Sequence, residues 1–554
     1  MATMTGAEVL MELLRNEGVG YVFGTPGTTE LLFLDALQEH PEITYILGLH
    51  ETVALGIAEG YSRTSGKVGV VNLHTSPGLA AAMPMLLNAY YGEVPLVITA
   101  GLQDTRILLQ EPRMAGDLVR MASQFTKWST QVQYAGDIPI AIRRAFKVAA
   151  HPPAGPVFIA LPQDVLELRT EFEDLPSVPY FAKLHAGNEA ISKAAELLVK
   201  CQNPALIVGN GVAKSEALAE VVHLAELVGA VVYHPVMSDV DFPTNHPQYL
   251  GHLDVTSLNT REILQSVDVL VVIGAQLFSH LSYLPQPLLS KNTRIIQIDN
   301  NPWEIAKNFP VAVGIEGDIK ASVAALSTVL EKLMPVQAHE AAKVKAREIS
   351  TQKEKMATVF RKKVQQESDS IPISVSRLMQ ELKVSLKPGT VIVDDSFSCS
   401  PILRRMIDFI EPKSYHHIRG GGSIGWGMGG AIGAKIGIKD RPVVAVVGDG
   451  SAIWSIQSLW TAAHYDIPVT YIICANASYR QVKNWKKRWM GEKAKGRYLG
   501  LDFDKPRIDF CQLARAMGVH GQKADQPNKL RDVLKSALEL GKPALVEVEI
   551  ESAI

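Results

Sequence analysis

Short apolar runs alternate with helix-period segments along the whole chain, and this alternation constrains the fold more than any other feature. The runs end in Gly, Pro or Asn, and the clearest cover residues 68–73, 96–99, 157–161, 205–208, 267–273, 294–298, 391–393, 443–447 and 469–473. Strands that are buried on both faces of a parallel sheet have this composition, and helices between them are typical of βαβ units. The sequence therefore predicts an α/β fold of parallel, doubly wound sheets.

Two segments interrupt this rhythm. Residues 166–184 are acidic and contain Pro176 and Pro179, whereas residues 334–368 are charged and polar, which favours a solvated connecting helix or linker. A chain of 554 residues is also too long for one hydrophobic core. We therefore predict three doubly wound domains, over residues 1–175, 185–335 and 365–554.

The composition excludes several classes of protein. A net charge of −2 provides no basic excess for nucleic acid. The apolar run at 267–273 contains Asp268 and is far too short to span a bilayer, and the N-terminal segment has the pattern of an amphipathic helix rather than a signal peptide. The four cysteines lie far apart without a C-x-x-C pair, so we expect free thiols and a reducing, cytoplasmic location.

The strongest local motif is Gly448-Asp449-Gly450-Ser451, which directly follows the predicted strand at 443–447. Asn476 and Ser478 follow the next predicted strand, so one strand–helix–strand unit would bring the two strand ends side by side. The Asp449 carboxylate, the Asn476 side-chain oxygen and the Ser478 carbonyl would then suit Mg²⁺ bound to a diphosphate. Taken alone, the glycine pair is equally typical of a turn.

A second glycine-rich motif permits another interpretation. Residues 420–425 match G-x-G-x-x-G, and Asp449 follows at a distance that suits a nicotinamide-binding unit. The match is unspecific because several registers fit this stretch. Close packing of a helix on the sheet explains the later glycines, at positions 427, 429, 430 and 433.

Three polar positions in the first third of the chain complete the pattern. Glu51 opens a predicted amphipathic helix, where an acid by itself serves the helix dipole. His74 lies in a loop after the predicted strand at 68–73, and Thr28 lies in the similar loop TPGT. Polar loops at the carboxyl ends of parallel strands are where open α/β sheets bind ligands, although both loops are also compatible with plain turns.

Together these motifs resemble a known family. The stretches VFGTPGTTELLFLDAL, ILGLHETVALGIAEGYSR, VNLHTSPGLAAAMPMLLNAY and GDGSAIWSIQSLWTAAHYDIP are similar to those of thiamine diphosphate-dependent enzymes of the acetolactate synthase and 2-oxo-acid decarboxylase type. Within that family the chain looks most like the benzoylformate decarboxylases. The resemblance implies a pyrimidine-binding domain, a middle domain and a diphosphate-binding domain, with two chains sharing each active site.

The resemblance also implies a role for individual residues. Glu51 would protonate the aminopyrimidine ring, Ile424 would wedge the cofactor into a bent form, and the Gly422 carbonyl would accept from the ring amine. Other cofactor-binding positions are Ser398, Gly448, Asp449, Gly450, Ser451 and Asn476. The implied metal ligands are Asp449, Asn476 and Ser478. The implied catalytic and substrate-pocket residues are Thr28, His74, His280, Gln481, Val482 and Trp485.

Some positions depart from the family pattern. Ala475-Asn476 stands where two asparagines are usual, and Thr28 replaces a serine. An ungapped match places Leu281, not His280, in the column of the second catalytic histidine. A basic run follows the pocket segment and is interpreted as a solvated helix face or as a site for an anionic substrate, even an acyl-CoA; it consists of Lys483, Lys486, Lys487, Arg488, Lys493, Lys495 and Arg497.

The resemblance leaves three hypotheses for function. The first is non-oxidative decarboxylation of a bulky or aromatic 2-oxo acid, with carboligation of aldehydes as a side activity. The second is a lyase or ligase resembling 2-hydroxyacyl-CoA lyase, aldehyde lyase or acetolactate synthase. The third is a paralogue that binds cofactor without turnover, against which the intact Glu51, Asp449 and Asn476 argue. The expected partners are a small-molecule 2-oxo acid or aldehyde and further copies of the chain, as a dimer of dimers.

Overall fold

The computed structural model describes residues 2–173, 183–235, 237–255, 257–278, 287–493 and 498–552. The chain divides into two compact units. The first unit comprises Met1–Phe181, Asp369–Ile402 and Ile418–Ile554, and the second comprises Ala182–Ser368 and Leu403–His417.

The N-terminal part of the first unit contains a parallel sheet of six strands. In spatial order these strands are Thr44–Leu47, Tyr21–Gly24, Gly69–Leu73, Leu96–Leu102, Val157–Pro162 and Trp128–Gln131. The α-helices are Gly6–Asn16, Leu31–Gln38, Glu51–Ser65, Thr75–Tyr91, Leu118–Ser123, Ile138–Ala150 and Gln163–Glu167. Short 3₁₀ helices cover Thr28–Glu30, Thr105–Gln110 and Ala135–Asp137, and Ala2–Thr5 pairs antiparallel with Arg169–Phe172.

The C-terminal part of the first unit contains a second parallel sheet. Five of its strands are Val391–Asp395, Val443–Gly448, Val469–Ala475, Ala544–Glu549 and His520–Ala524, in that spatial order. Its helices are Val375–Ser385, Trp426–Gly437, Asp449–Ala452, Ser458–His464, Arg480–Met490, Phe510–Ala516 and Leu530–Glu539, with a 3₁₀ turn at Gly491–Lys493. The order repeats that of the last five strands of the first sheet, so the two halves of this unit share one topology.

The second unit contains a third parallel sheet. Its strands, in spatial order, are Tyr249–His252, Val231–His234, Pro204–Val208, Val269–Ile273, Arg294–Asp299 and Val313–Glu316. Its helices are Asn188–Val199, Asn210–Lys214, Leu218–Val228, Leu258–Ser266, Ile319–Leu333 and Val336–Gln366. The short strand Tyr415–His417 also belongs to this unit, and the helix Ser400–Met406 crosses the chain boundary between the units.

The predicted α/β class with parallel, doubly wound sheets is confirmed. Each predicted strand is present, and the observed strand at Val391–Asp395 is two residues longer than predicted. The polar connecting segment forms the helix Val336–Gln366, of whose 31 residues only Ala342 and Val364 are buried. The domain boundaries given above stay predictions. All four cysteines are free, and among the described helices none has the length and hydropathy needed to cross a bilayer.

Two helices of the first unit pack together through glycines. A Cβ atom on Gly433 would lie 1.9 Å from the Ile57 carbonyl oxygen, and one on Gly60 would lie 2.1 Å from the Gly430 oxygen. Only glycine allows backbones to approach this closely. The expectation that these glycines pack on the sheet is wrong for Gly429 and Gly433, which face the helix Glu51–Ser65.

A buried ion pair supports the same contact between the two helices. Arg63 lies 3.2 Å from Glu59 on its own helix, and its guanidinium stacks 4.4 Å from the centre of the Trp426 ring. The glycine contacts and this ion pair fix the helix that begins at Glu51 against the helix that follows Ile424.

Candidate active site

The predicted site residues of the first unit follow the carboxyl ends of parallel strands. His74 follows Gly69–Leu73, Ser398 lies in the turn after Val391–Asp395, and Asn476 follows Val469–Ala475. In the second sheet, Gly448 pairs in register with Cys474. The ends of neighbouring strands therefore meet at one edge, as the sequence predicted for Asp449 and Asn476.

Asp449 is buried and is held by backbone amides. Its Oδ1 accepts from the Gly450 N–H at 2.8 Å, and its Oδ2 accepts from the N–H groups of Asn476 at 2.8 Å and Ala477 at 2.5 Å. Burial raises the pKa of Asp449 to about 6, against the effect of these hydrogen bonds. A bound cation would favour the charged form of this carboxylate.

The loop after Asn476 has the shape of a ligand site. The Oδ1 atom of Asn476 is buried without a hydrogen-bond partner in the described part of the chain. Ala477 adopts φ +52°, a left-handed conformation that is uncommon for a residue with a Cβ atom, and Ser478 follows it. A carboxylate, an orphaned amide oxygen and a main-chain carbonyl form the oxygen donor set that a hard divalent cation takes.

Asp395 is a second buried acid of this sheet, and the sequence interpretation missed it. Its Oδ2 accepts from the N–H groups of Gly425 at 2.9 Å and Gly427 at 3.0 Å, and its Oδ1 accepts from the Ser451 hydroxyl at 2.8 Å. Burial raises the pKa of Asp395 to about 7, although these three donors lower it. An acid at the end of the strand VIVDD was the available signal, of the same kind as Asp449.

His74 takes part in a polar cluster at the edge of the first sheet. Its Nδ1 lies 2.8 Å from Oε2 of Glu30 and 3.2 Å from the Thr29 hydroxyl. Glu30 is buried, and it accepts from the N–H groups of Gly27 and Gly101 at 3.0 Å and 2.9 Å. A Cβ atom at position 27 would lie 1.9 Å from His74 Nδ1, so this contact requires the glycine of TPGT.

Glu51 lies beside the helix that His74 caps. It is the first residue of the helix Glu51–Ser65, and its Oε1 would lie 3.1 Å from a Cβ atom on Gly78. The same position on Gly78 is 3.3 Å from the His74 Cβ, so Glu51 and His74 share one small space. Thr28 is exposed at the start of the neighbouring 3₁₀ helix.

The glycine-rich turn before Trp426 is fixed from the first sheet's side. The Asn88 amide donates to the Ser423 carbonyl at 2.8 Å and accepts from the Ser423 N–H at 3.0 Å. Gly422 is exposed with φ +77°, and Ile424 is half-buried. The turn therefore presents Gly422 and Ile424 on a rigid support.

The predicted pocket residues Gln481, Val482 and Trp485 belong to the helix Arg480–Met490, which begins two residues after Ser478. Gln481 and Trp485 are half-buried, whereas Val482 is exposed. Part of the basic run is already engaged, because Lys483 pairs with Asp502 and Lys486 lies over the Tyr498 ring. His280, Lys495 and Arg497 lie outside the described residues.

Comparison with known proteins identifies the family. Models of thiamine pyrophosphate enzymes match three segments: the N-terminal TPP binding domain at residues 4–121, the central domain at 191–326 and the C-terminal TPP binding domain at 397–548. The chain belongs to the thiamine pyrophosphate enzyme family. This family, whose cofactor is thiamine diphosphate, favours the diphosphate interpretation of residues 420–425 over the nicotinamide one.

Within the family, relatives of two kinds are similar to this chain. Benzoylformate decarboxylase from Pseudomonas aeruginosa is 30% identical over 546 residues, covering 98% of each chain. A probable acetolactate synthase large subunit from Methanococcus aeolicus is 30% identical, covering 99% of this chain and 92% of its own. Among solved structures, the thiamine diphosphate-dependent 4-hydroxybenzoylformate decarboxylase of Rhodococcus jostii is 29% identical with a TM-score of 0.86, covering 99% of this chain and 100% of its own. The chain is thus a thiamine diphosphate-dependent enzyme of the decarboxylase and acetolactate synthase type.

Proposed function

We propose that this chain catalyses non-oxidative decarboxylation of a bulky or aromatic 2-oxo acid, with carboligation of aldehydes as a side reaction. The observation that carries this proposal is the cluster in which Glu30 holds His74 beside Glu51. A decarboxylase must transfer protons after CO₂ has left, and an oriented imidazole is suited to that step. Two relatives named as benzoylformate and 4-hydroxybenzoylformate decarboxylases support the substrate class.

The metal in this proposal is Mg²⁺. Asp449, the Asn476 side-chain oxygen and the Ser478 carbonyl would supply three oxygen ligands, a number that leaves positions for diphosphate and water. The orphaned, buried Oδ1 of Asn476 supports this assignment. The Ser478 carbonyl also accepts from the Arg480 N–H at 2.8 Å, which orients it.

The cofactor's organic half would lie between the two halves of the first unit. When bound, thiamine diphosphate supplies a nucleophilic carbon and an electron sink for the bond that breaks. Glu51 would share a proton with a pyrimidine nitrogen, Gly422 would accept from the ring amine, and Ile424 would pack against the rings. Ser398, Gly448 and Gly450 would line the diphosphate, where glycine lets backbone N–H groups approach.

His74 would transfer protons through Nε2. Its Nδ1 is engaged by an acceptor, the Glu30 carboxylate, and this arrangement places the Nδ1 proton between them. In the neutral ring Nε2 is then left as the basic nitrogen. Thr28 would offer its hydroxyl to the substrate carboxylate, and Gln481, Val482 and Trp485 would shape the pocket.

A second candidate is a ligase that resembles acetolactate synthase. It is favoured by relatives of that name, which match the chain at the same identity and over nearly its whole length. The less regular alternatives, a 2-hydroxyacyl-CoA lyase or an aldehyde lyase, use the same cofactor site. We further propose a homo-oligomer, a dimer of dimers, which sedimentation with activity assayed across dilution tests.

One experiment separates these candidates. The wild-type chain is incubated with thiamine diphosphate, Mg²⁺ and a panel of 2-oxo acids and aldehydes, and CO₂, free aldehyde and ketol products are measured together. Aldehyde and CO₂ in equal amounts from an aromatic 2-oxo acid would support the decarboxylase. Ketol formed with CO₂ from small 2-oxo acids would support the ligase, and ketol without CO₂ would support an aldehyde lyase. Glu51→Gln serves as the inactive control.

A further inference from the structure

Asp395 joins two turns that are distant in the chain. Its partners Gly425 and Gly427 lie 30 and 32 residues away, and Ser451 lies 56 residues away. The side chain itself is fully buried. One carboxylate therefore bridges the start of the helix Trp426–Gly437 and the turn that contains Asp449.

The approach of Asp395 to these turns depends on glycine. A Cβ atom on Gly427 would lie 2.6 Å from the Asp395 Cβ, and Gly425 adopts φ +94°. The Ser455 hydroxyl also binds the Gly425 carbonyl, so both polar groups of this residue are engaged. The two turns are thus held to one point without slack.

We propose that Asp395 is a positioning residue, which sets the spacing between the turn bearing Ile424 and the turn bearing Asp449. This inference rests on the proposed function, because Ile424 and Asp449 would seat the rings and the metal-bound diphosphate of one cofactor. It also revises the expected role of Ser451. The Ser451 hydroxyl donates its proton to Asp395, so toward an anionic diphosphate Ser451 offers its main-chain N–H and not its hydroxyl.

The choice of residue supports positioning over simple packing. Val391 and Val393, on the same strand, are buried and apolar, whereas a buried carboxylate costs free energy unless donors surround it. Asp395 has three donors, and they belong to two different turns. An apolar side chain would fill the same volume but would leave the Gly425 and Gly427 N–H groups without acceptors.

The test compares two variants of Asp395 with a matched control. Cofactor affinity is measured as the Kd for thiamine diphosphate in saturating Mg²⁺, from quenching of intrinsic fluorescence, and the melting temperature is measured without cofactor. The control is Glu547→Ala, since Glu547 is a buried acid of the same sheet that accepts from two backbone N–H groups, of Phe510 and Cys511. It should lower the melting temperature and leave Kd unchanged.

Asp395→Ala should raise Kd by roughly 10- to 100-fold, the scale of losing charged hydrogen bonds. Asp395→Asn should restore most of the affinity, because the amide oxygen can accept from both glycines while the amide NH₂ donates to the Ser451 oxygen. Wild-type affinity in Asp395→Ala would overturn the proposal. So would an Asp395→Asn variant that binds as weakly as Asp395→Ala, because charge rather than positioning would then matter.

A second pair keeps the test decisive if Asp395→Ala does not fold. Ser451→Ala removes one donor, and its effect on Kd should be smaller in the Asp395→Asn background than in wild type, since both act through one contact. Strictly additive effects would overturn the proposal. If the wild-type chain itself fails to bind thiamine diphosphate, the proposed function fails instead, and the two failures are thereby distinguished.

Discussion

Oε2 of Glu30 lies 2.8 Å from Nδ1 of His74, although 44 residues separate them in the chain. The Glu30 side chain is fully buried, whereas that of His74 is 19% exposed. One face of the imidazole is thus fixed by a buried acid, and the opposite nitrogen is available to a ligand. Glu30 acts on the reaction through His74 in this account.

Glu30→Gln is expected to lower kcat/KM by roughly 10²-fold or more. The glutamine can present its NH₂ group to Nδ1 and turn the imidazole to the other tautomer, an effect known to cost this much or more in histidine-dependent catalysis. His74→Ala should cost about 10²–10⁴-fold, the range for loss of a general acid–base group. Steady-state kinetics on the substrate found by the screen measure both.

The control for this pair is Glu39→Gln, which changes an exposed acid at the end of the helix Leu31–Gln38. Cofactor affinity should stay at the wild-type value in all three variants, because none of these side chains belongs to the proposed metal site. Wild-type turnover in Glu30→Gln would refute the positioning of His74 by Glu30.

Asp449→Ala should abolish the rise in melting temperature that thiamine diphosphate and Mg²⁺ produce in the wild-type chain. A ligand that binds only the native state stabilises it by mass action, and this variant removes a proposed metal ligand. Thermal denaturation with and without cofactor checks the effect. The exposed Asp504 provides the control Asp504→Ala, which should keep the full rise. An equal rise in Asp449→Ala would place the metal elsewhere.

Gly433→Ala should lower the melting temperature of the cofactor-free chain. The new methyl group would meet the Ile57 carbonyl at 1.9 Å, and overpacking of this kind costs about 1–3 kcal/mol or more. Gly20→Ala is the matched control, since no atom lies within 4 Å of its added Cβ. Similar melting curves for the two variants would argue against the close contact between the helices Glu51–Ser65 and Trp426–Gly437.

The second unit should lose stability in acid through two histidines. Burial, and secondly Arg404, lower the pKa of His234 well below its ordinary value of 6.5 and the pKa of His252 to about 4. Below pH 6.5 the unfolded chain takes up protons that the folded chain does not, so stability falls as pH is lowered from 6.5 toward 4. Tyr249, which bonds His234 Nδ1 at 2.6 Å, keeps that ring in its neutral environment.

Urea unfolding across this pH range measures the effect. His252→Gln should flatten the dependence of stability on pH, whereas His185→Gln, at an exposed position, should leave it unchanged. A wild-type slope in His252→Gln would show that other groups control the acid sensitivity of this unit.

The sequence predicted those parts of the fold and site that depend on local pattern. The apolar runs located the strands, and the spacing of Asp449 and Asn476 located two neighbouring strand ends, which the structure brings into hydrogen-bond contact. Family resemblance supplied the roles assigned to Glu51, His74 and Ile424, which stay predictions. The approximate position of each of these residues in the fold followed from the strand pattern alone.

Residues that act across long distances in the chain could not be predicted in this way. In the stretch TPGTTE, Glu30 has the position of a helix-capping acid, and nothing local shows that it reaches His74. Asp395 ends a strand like many acids do, and its partners Gly425 and Ser451 are known only from the folded chain. Packing of Gly433 on a helix instead of the sheet also depends on tertiary structure.

The central claim is that the chain uses thiamine diphosphate to cleave the bond next to a 2-oxo acid's carbonyl. Release of labelled CO₂ from carboxyl-labelled 2-oxo acids, aromatic and small, tests it most directly, because the decarboxylase and the acetolactate synthase-like ligase both release it. We expect label in CO₂ from the wild-type chain only when thiamine diphosphate and Mg²⁺ are present, and a loss of roughly 10²-fold or more in Glu51→Gln. Cofactor-independent release, or no release from any of these acids by the cofactor-loaded chain, would contradict the account.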